Sequence, residues 1–450
     1  MTSTTAASTA ESQAPVAVVP LDRRKQRKSF VASTIGQLLE WYEWGVYAVF
    51  APQIAAALFH TQNQVSALLS TFGVFAIGFL FRPLGGIVFG RIADRRGRKF
   101  VLVTTMLMMA GGSVLIGLVP TYGTIGIAAS GLLLLARVVQ GFAHGGESAA
   151  ANSYIAEIAP AGRRGLWGST VFMTIFGGSF IAFVLGGAIT GVLSKPEVAA
   201  WGWRIPFLLG AVLALVALYL RAGMIESKDL VENSRVTGKI NGLDASHFPA
   251  AALRPLPKAV SIVAIFFLVS GVAASNYTWT SYVSTFAVTQ RKMEANGAYW
   301  ALTAALAVGI LSLLFWGWAS DRWGRKPVLY IFAIGVAVTQ YPLMALIDQR
   351  PWTLFVTTSI ALFFLAAGAG LLTSVMAETF PTAARTAYIG FAYSLATAVF
   401  GGTTPYVNQF AVYIGAPWAS NAWIVFAELL ALWAVWRLPE RKGIDLHIVK

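Results

Sequence analysis

The ten residues GRIADRRGRK (Gly90–Lys99) recur as GWASDRWGRK (Gly317–Lys326), with six of ten positions identical, at an offset of 227 in a chain of 450. A repeat of this length and separation restricts the chain to folds built from two related halves. A second echo supplies a register: AEIAPAGR (Ala156–Arg163) reappears as AETFPTAAR (Ala377–Arg385), the Glu at an offset of 221 and one residue inserted before the Arg. Each copy of the basic segment lies between long apolar stretches, so it reads as a short loop joining two membrane helices at the same place in each half.

Composition agrees, with 57% hydrophobic and 12% charged residues and a mean hydropathy of +0.66, far from a soluble domain. A span needs about 20 apolar residues, and breaks at Gly, Pro and charge clusters separate twelve: 31–58, 66–89, 101–119, 124–150, 165–193, 205–222, 259–288, 298–318, 328–347, 353–377, 386–412 and 418–437. The expected fold class is all-α integral membrane, with twelve transmembrane helices in two pseudo-symmetric six-helix halves. The halves cover 31–222 and 259–437, flanked by a disordered tail (1–30), a linker (223–258) and a short tail (438–450). Duplicated six-helix halves are a transporter's organisation.

The net charge of +14 raises nucleic-acid binding as an alternative, but the charges sort by side of the membrane. The N-terminal tail and alternate loops hold 26 of the 33 Lys and Arg and the opposite loops five, leaving Arg82 and Arg137 inside spans. The positive-inside rule then puts both termini in the cytoplasm. Zero cysteines exclude disulfides and thiol chemistry, and four scattered His give no metal-ligand spacing, so no metal or other cofactor is expected. No Gly-rich run precedes Lys-Ser/Thr in a strand-to-helix context, which excludes an ATP-driven pump of the P-loop kind. The energy source is an ion gradient, or the carrier is passive. No nucleophile and base constellation marks an enzyme.

The repeated loops are candidates for a cytoplasmic gate. Gly90 and Gly317 permit close helix approach, Asp94 and Asp321 can accept from a neighbouring helix N-terminus, and Arg98, Lys99, Arg325 and Lys326, following Gly97 and Gly324, face anionic lipid and carboxylates. Glu157 with Arg163, and Glu378 with Arg385, supply partners at the same depth. The competing reading is that these charges only hold topology.

GRIADRRGRK resembles the signature loop of the major facilitator superfamily and sits where that superfamily has it, after helices 2 and 8. LLEWYEWGVY, GFLFRPLGG, RVVQGFAHGGE, WGWRIPF and AETFPTAARTAYIGFAYSLATAVFGGTTPY together resemble its metabolite:proton symporter branch, whose members import 2-oxoglutarate, citrate, shikimate, or proline and betaine. The resemblance implies proton coupling, a bacterial inner-membrane location and a functional monomer whose partners are a small organic anion, protons and membrane lipids. One departure is Glu43, where the family's Glu-Trp-Tyr-Asp motif ends in Asp.

Ionisable residues inside spans are costly unless they face a cavity or a partner, so they carry the mechanistic expectation. Glu43 lies about 18 Å into helix 1 and Arg137 about 20 Å into helix 4; both sit near the midplane, and a Glu43–Arg137 pair is expected either as the proton-coupling unit or as a static packing pair. Glu40, one turn from Glu43, is expected to share its aqueous cleft. Arg82, followed by Pro83, is a candidate for substrate carboxylate recognition or a gate. His144, Asn276, Tyr277 and Tyr393 are cavity candidates, each with a packing alternative. Glu428 in helix 12 has no visible partner and should not face lipid when ionised.

Four functions compete. Proton-coupled import of a small organic acid, such as a di- or tricarboxylate, leads on two intramembrane Arg, two acids and the resemblance. Import of a zwitterionic osmolyte is the alternative, ranked lower because proline/betaine members carry a long C-terminal coiled coil that has no counterpart here. Export by antiport usually shows a Gly-Pro signature in helix 5, and Thr170 to Leu193 contains no Pro. A non-transporting sensor would normally add a cytoplasmic signalling domain.

Overall fold

The computed structural model describes residues 23–60, 63–96, 98–145, 155, 159–222, 245–248, 256–381, 385–446 and 449. Twelve membrane helices follow in order. They are α1 (Arg23–Val49, continued by Ala51–Leu58), α2 (Gln64–Leu80 and Arg82–Arg96), α3 (Arg98–Leu118), α4 (Ile127–His144), α5 (Arg164–Val192) and α6 (Ile205–Ala222). The second set is α7 (Lys258–Tyr277, Thr278–Tyr282, Val283–Thr289), α8 (Ala295–Trp323), α9 (Arg325–Leu346), α10 (Pro351–Ala369 and Leu372–Thr379), α11 (Arg385–Ala396, Thr397–Gly402, Thr404–Tyr413) and α12 (Trp418–Arg437).

Nine of these are long and apolar enough, within the described residues, to cross a membrane. The others depart for local reasons. Helix α1 carries Gln37, Glu40 and Glu43 on one stretch, α6 has a shorter apolar stretch of Gly202–Leu218, and α11 breaks at Thr403 and carries Arg385, Thr386, Tyr388, Tyr393 and Ser394 in its first part. One outcome differs from the sequence-based boundaries. Helix α1 starts at Arg23, so residues 23–30 are helical and not part of a disordered tail. The short segment after α12 packs on the bundle, with Ile444, Leu446 and Val449 buried. The linker expected over 223–258 lies mostly outside the described residues.

Helix α2 breaks at Phe81, immediately before Arg82-Pro83, where proline cannot donate its backbone bond. Glycines then set how α2 meets α4. A Cβ on Gly141 would lie 1.8 Å from the Gly78 carbonyl oxygen, one on Gly85 1.8 Å from that of Phe142, and one on Gly145 1.9 Å from that of Arg82. Only glycine permits this backbone contact. The motifs GFLFRPLGG and RVVQGFAHG therefore form one helix-helix seam, which fixes Arg82 and Arg137 at its two sides.

The halves meet chiefly along α5 with α8 and α2 with α11. At the loop end, Gly317 lets α8 approach α5 so closely that its Cβ would stand 3.0 Å from the Gly165 carbonyl. At the opposite end the closure is neutral. Tyr299 Oη donates to the Val49 carbonyl (2.8 Å), Asn296 Nδ2 donates to the Gly187 carbonyl (2.7 Å), and Phe72 and Tyr282 stack edge-on at 5.8 Å. Among the described residues, contacts between the halves thus form at both ends, with a cavity between them.

Candidate functional site

The central cavity is narrow and is lined by Trp41 of α1, Phe172 and Ile175 of α5, Val269, Val272, Ala273, Asn276 and Tyr277 of α7, Leu372 of α10, and Tyr393 and Thr397 of α11. Both halves thus contribute. Of the residues expected in it, Asn276, Tyr277 and Tyr393 line it; Arg82, Arg137 and His144 do not. Trp41, an unanticipated member, belongs to the LLEWYEWGVY motif that pointed to helix 1.

Arg82 stands just behind the lining. Its guanidinium carbon sits 3.5 Å from the Phe79 ring centroid, 4.4 Å from that of Trp44 and 5.7 Å from that of Trp41. Tyr277, Tyr393 and Glu40 are its electrostatic neighbours. Arg137 is deeper, fully buried between Trp44 (4.3 Å) and Tyr47 (3.9 Å). Trp44 therefore carries both guanidiniums on its ring, an arrangement favourable to each cation. Each arginine leaves Nε and Nη2 buried without a hydrogen-bond partner.

The expected direct Glu43–Arg137 ion pair is absent from the ion pairs among the described residues. A relay replaces it. Arg137 Nη1 donates to Gln140 Oε1 (2.8 Å), Gln140 Nε2 donates to Ser113 Oγ (2.9 Å), and Ser113 Oγ donates to Glu43 Oε2. Glu43 is turned towards α3 and α6, its Oε1 occupying the space that a side chain on Gly210 would take. The two acids do not share a cleft. Glu40 points to α4 instead, its Oε2 3.1 Å from His144 Nδ1, and His144 packs edge-on against Trp41 at 5.5 Å. Positions three apart on a helix differ by about 60° around the axis, which is enough to send one acid to α4 and the other to the α3/α6 side.

The loop end is built from charges that cross between the halves. Asp321, near the end of α8, accepts from the backbone N–H groups of Gly165 (2.8 Å) and Leu166 (2.9 Å), the N-terminal turn of α5. It thereby caps a helix of the other half and meets its positive dipole end. Arg325 holds Asp321 in place (2.8 Å) and forks onto Glu378 through Nε (3.2 Å) and Nη2 (3.1 Å). From the other half, Arg164 Nη1 reaches the same carboxylate at 3.0 Å, and Ser374 Oγ donates to the Arg164 carbonyl at 2.7 Å.

Glu378 is thus met by Arg325 and, from the other half, by the buried Arg164, while Arg163, expected to face Glu157, is exposed. This also revises the register between halves. Glu157 to Glu378 and Arg164 to Arg385 are both offsets of 221, so no inserted residue is needed. Arg385 is buried and donates to the Phe380 and Leu446 carbonyls (3.3 and 3.2 Å), while Lys326 donates its backbone N–H to Glu440 at 2.7 Å. Gly324 turns the chain between α8 and α9 at φ 105°, a conformation that favours glycine. Gly90, by contrast, has open space where a Cβ would go. Gly97, Glu157 and the side chains of Asp94, Arg98 and Lys99 lie outside the described residues.

The post-α12 segment completes the loop end, which the sequence did not signal. Arg441 donates to the Glu378 carbonyl (3.0 Å) and Arg164 to the Ile444 carbonyl (3.1 Å), so the segment bonds to both halves. Burial pulls the Arg441 guanidinium below its ordinary pKa, with Glu378 acting in the opposite sense.

Comparison with known proteins agrees with this geometry. The family model for sugar (and other) transporters matches residues 28–450. The alpha-ketoglutarate permease of Escherichia coli is 34% identical over 434 residues, 95% of this chain and 96% of the relative. A putative proline/betaine transporter of Staphylococcus haemolyticus is 35% identical over 394 residues, 87% and 83% of the two chains. Among solved structures, the proton:xylose symporter XylE bound to 6-bromo-6-deoxy-D-glucose superposes with a TM-score of 0.73 at 18% identity, over 95% of this chain and 98% of that one. A family match over nearly the whole length, on a fold of twelve helices closing around a cavity shared by two halves, leads to one conclusion: the chain belongs to the sugar (and other) transporter family of the major facilitator superfamily.

Proposed function

We propose that this protein imports a small organic acid together with protons by alternating access, with a dicarboxylate of the 2-oxoglutarate type as the first candidate, across a bacterial inner membrane with the repeat loops on the cytoplasmic side. The observation that carries this reading is the pair of buried guanidiniums beside the cavity, each with two nitrogens unbonded. A substrate carboxylate entering past Tyr277 and Tyr393 would meet Arg82 first, and such charge-assisted bonds are strong where water is excluded. The relatedness to an alpha-ketoglutarate permease over almost the full length of both chains supports it.

Coupling follows from the way Trp44 holds the two arginines together. An anion on Arg82 offsets the positive field that Arg82 and Arg137 exert on Glu43 through the Ser113–Gln140 relay and on Glu40 beside His144, so binding of one proton at this pair of acids becomes more favourable when substrate is present. Each net charge moved costs about 2.3 kcal/mol per 100 mV, so a dicarboxylate carried with two protons enters without opposing the membrane potential. The contacts that cross between the halves, Arg164 with Glu378 and Asp321 on the start of α5, would break as the cytoplasmic side opens.

A second reading rests on the aromatic lining. Trp41, Phe172, Tyr277 and Tyr393 could enclose a quaternary ammonium group, and proline/betaine transporters are among the relatives. Uptake into proteoliposomes of labelled mono-, di- and tricarboxylates, shikimate, proline and betaine, with and without an imposed pH gradient, separates the two. Gradient-dependent uptake of a carboxylate is the expected result; preference for the zwitterions would replace the organic-acid reading with the second.

A further inference from the structure

Glu428 lies midway along α12 and is fully buried. Its Oε1 accepts a 2.6 Å hydrogen bond from Ser275 Oγ of α7, while its Oε2, also buried, has no partner. The groups that face it from α7 are Gly271 and Ser275, and none of the described residues of α7, α9 and α11, the helices packed on α12, places a charge against it. A carboxylate stripped of water with neither a counter-ion nor a full set of donors is costly, and in membrane proteins such groups mark proton or ion routes.

Two further observations give the site a role. The first is symmetry. In the N-terminal half, Glu43 of α1 packs against Gly210 of α6 and accepts from a serine hydroxyl; in the C-terminal half, Glu428 of α12 packs against Gly271 of α7 and does the same. The seams α1/α6 and α7/α12 correspond between halves, so each half holds one buried acid in the same seam, on opposite helices. The second is a polar route. One turn beyond Ser275, Thr278 opens the π turn of α7 and accepts from Asn408 (3.0 Å), which accepts from Ser420 (2.8 Å), and Tyr282 Oη donates to the Asn408 carbonyl (3.3 Å). Polar groups thus continue from the acid towards the end opposite the loops.

We propose that Glu428 carries a second transported proton, taken up and released once per cycle. This rests on the proton-symport reading given above. The proton comes from water on one side of the membrane and leaves to water on the other, with no other bond changed. Release requires α7 and α12 to part enough to hydrate the carboxylate. Because α7 also lines the cavity through Val272 and Asn276, its position links substrate occupancy to that hydration.

The test uses the full chain in proteoliposomes with the potential clamped at zero and labelled 2-oxoglutarate as probe. At equilibrium each coupled proton gives about a tenfold accumulation per unit of pH gradient. The wild type should reach about 100-fold and Glu428→Gln about tenfold, with exchange across the membrane retained. An unchanged ratio in Glu428→Gln overturns Glu428 as a proton carrier, and a wild type that itself reaches only tenfold overturns the second proton, both while leaving symport standing; no gradient response in the wild type removes symport itself. Infrared difference spectra of the purified protein decide the matter without transport. A protonated-carboxyl C=O band that vanishes in Glu428→Gln and shifts in Ser275→Ala supports the proposal, and a band unaffected by both refutes it.

Discussion

Asp321→Asn should loosen the loop end by an amount that the contacts allow to be worked out. The carboxylate makes three bonds, to Gly165 N–H, Leu166 N–H and Arg325. The bond to Arg325 lies within the C-terminal half and survives opening, so only the two bonds to α5 distinguish closed from open. An asparagine keeps one acceptor oxygen, loses the second bond and loses the charge that faces the helix N-terminus. At about 1.5–3 kcal/mol for a hydrogen bond to a charged group, discounted because the side chain is part-buried, the closed state should lose about 2 kcal/mol. That is about a 30-fold shift towards the loop-open state, at 1.4 kcal/mol per factor of ten. The chain has no cysteine, so a single one reports cleanly. Ser374 is fully buried at the seam between α10 and α5, and Ser374→Cys should react with maleimide only when the seam parts. Adding Asp321→Asn should speed that labelling by about 30-fold. A rate within twofold of the single variant would refute the idea that this carboxylate holds the halves together.

Arg441→Ala in the same Ser374→Cys background loosens the post-α12 segment from Glu378, and with it the Ile444 carbonyl to which Arg164 donates across the halves, and should speed labelling by up to about tenfold; no change would show that the segment merely rests on the bundle. Glu43→Gln should lower gradient-driven accumulation by about tenfold per unit of pH gradient but keep substrate exchange, whereas Arg137→Ala should lose both. If Glu43→Gln accumulates as far as the wild type, that proton is carried elsewhere and Glu40 is next to be tested. Gly141→Ala drives a methyl to 1.8 Å from a backbone oxygen of α2 and should destabilise the protein by about 1–3 kcal/mol or more, seen as a lower temperature of half-aggregation. Gly111→Ala, with open space around it, should leave that temperature unchanged.

The helices were legible because hydropathy and chain breaks are local signals. Span ends such as 165–193 and 418–437 fall within one residue of Arg164–Val192 and Trp418–Arg437. The site was legible only as residue types at depths. Depth placed Glu43 and Arg137 together, but which way a side chain turns depends on neighbours far along the chain. Ser113 and Gln140 are ordinary polar residues in apolar helices, and nothing local marks them as the relay. The Glu40–His144 contact was missed because a lone histidine carries no sign of its partner. Arg163 and Arg164 are adjacent and identical in type, so only the packing of α5 on α10 decides between them. The segment after α12 has too few apolar residues to announce that it is buried; its backbone carbonyls, to which Arg164 and Arg385 donate, have no sequence signature at all.

Proton entry caused by substrate tests the central claim most directly. Purified protein is reconstituted into liposomes that hold a pH-sensitive dye, with no gradient imposed and the potential clamped, and substrate is added outside. The account predicts that 2-oxoglutarate acidifies the interior, that betaine does not, and that Glu43→Gln lowers the number of protons entering per substrate. Uptake of labelled 2-oxoglutarate without acidification, or acidification with betaine alone, would contradict it.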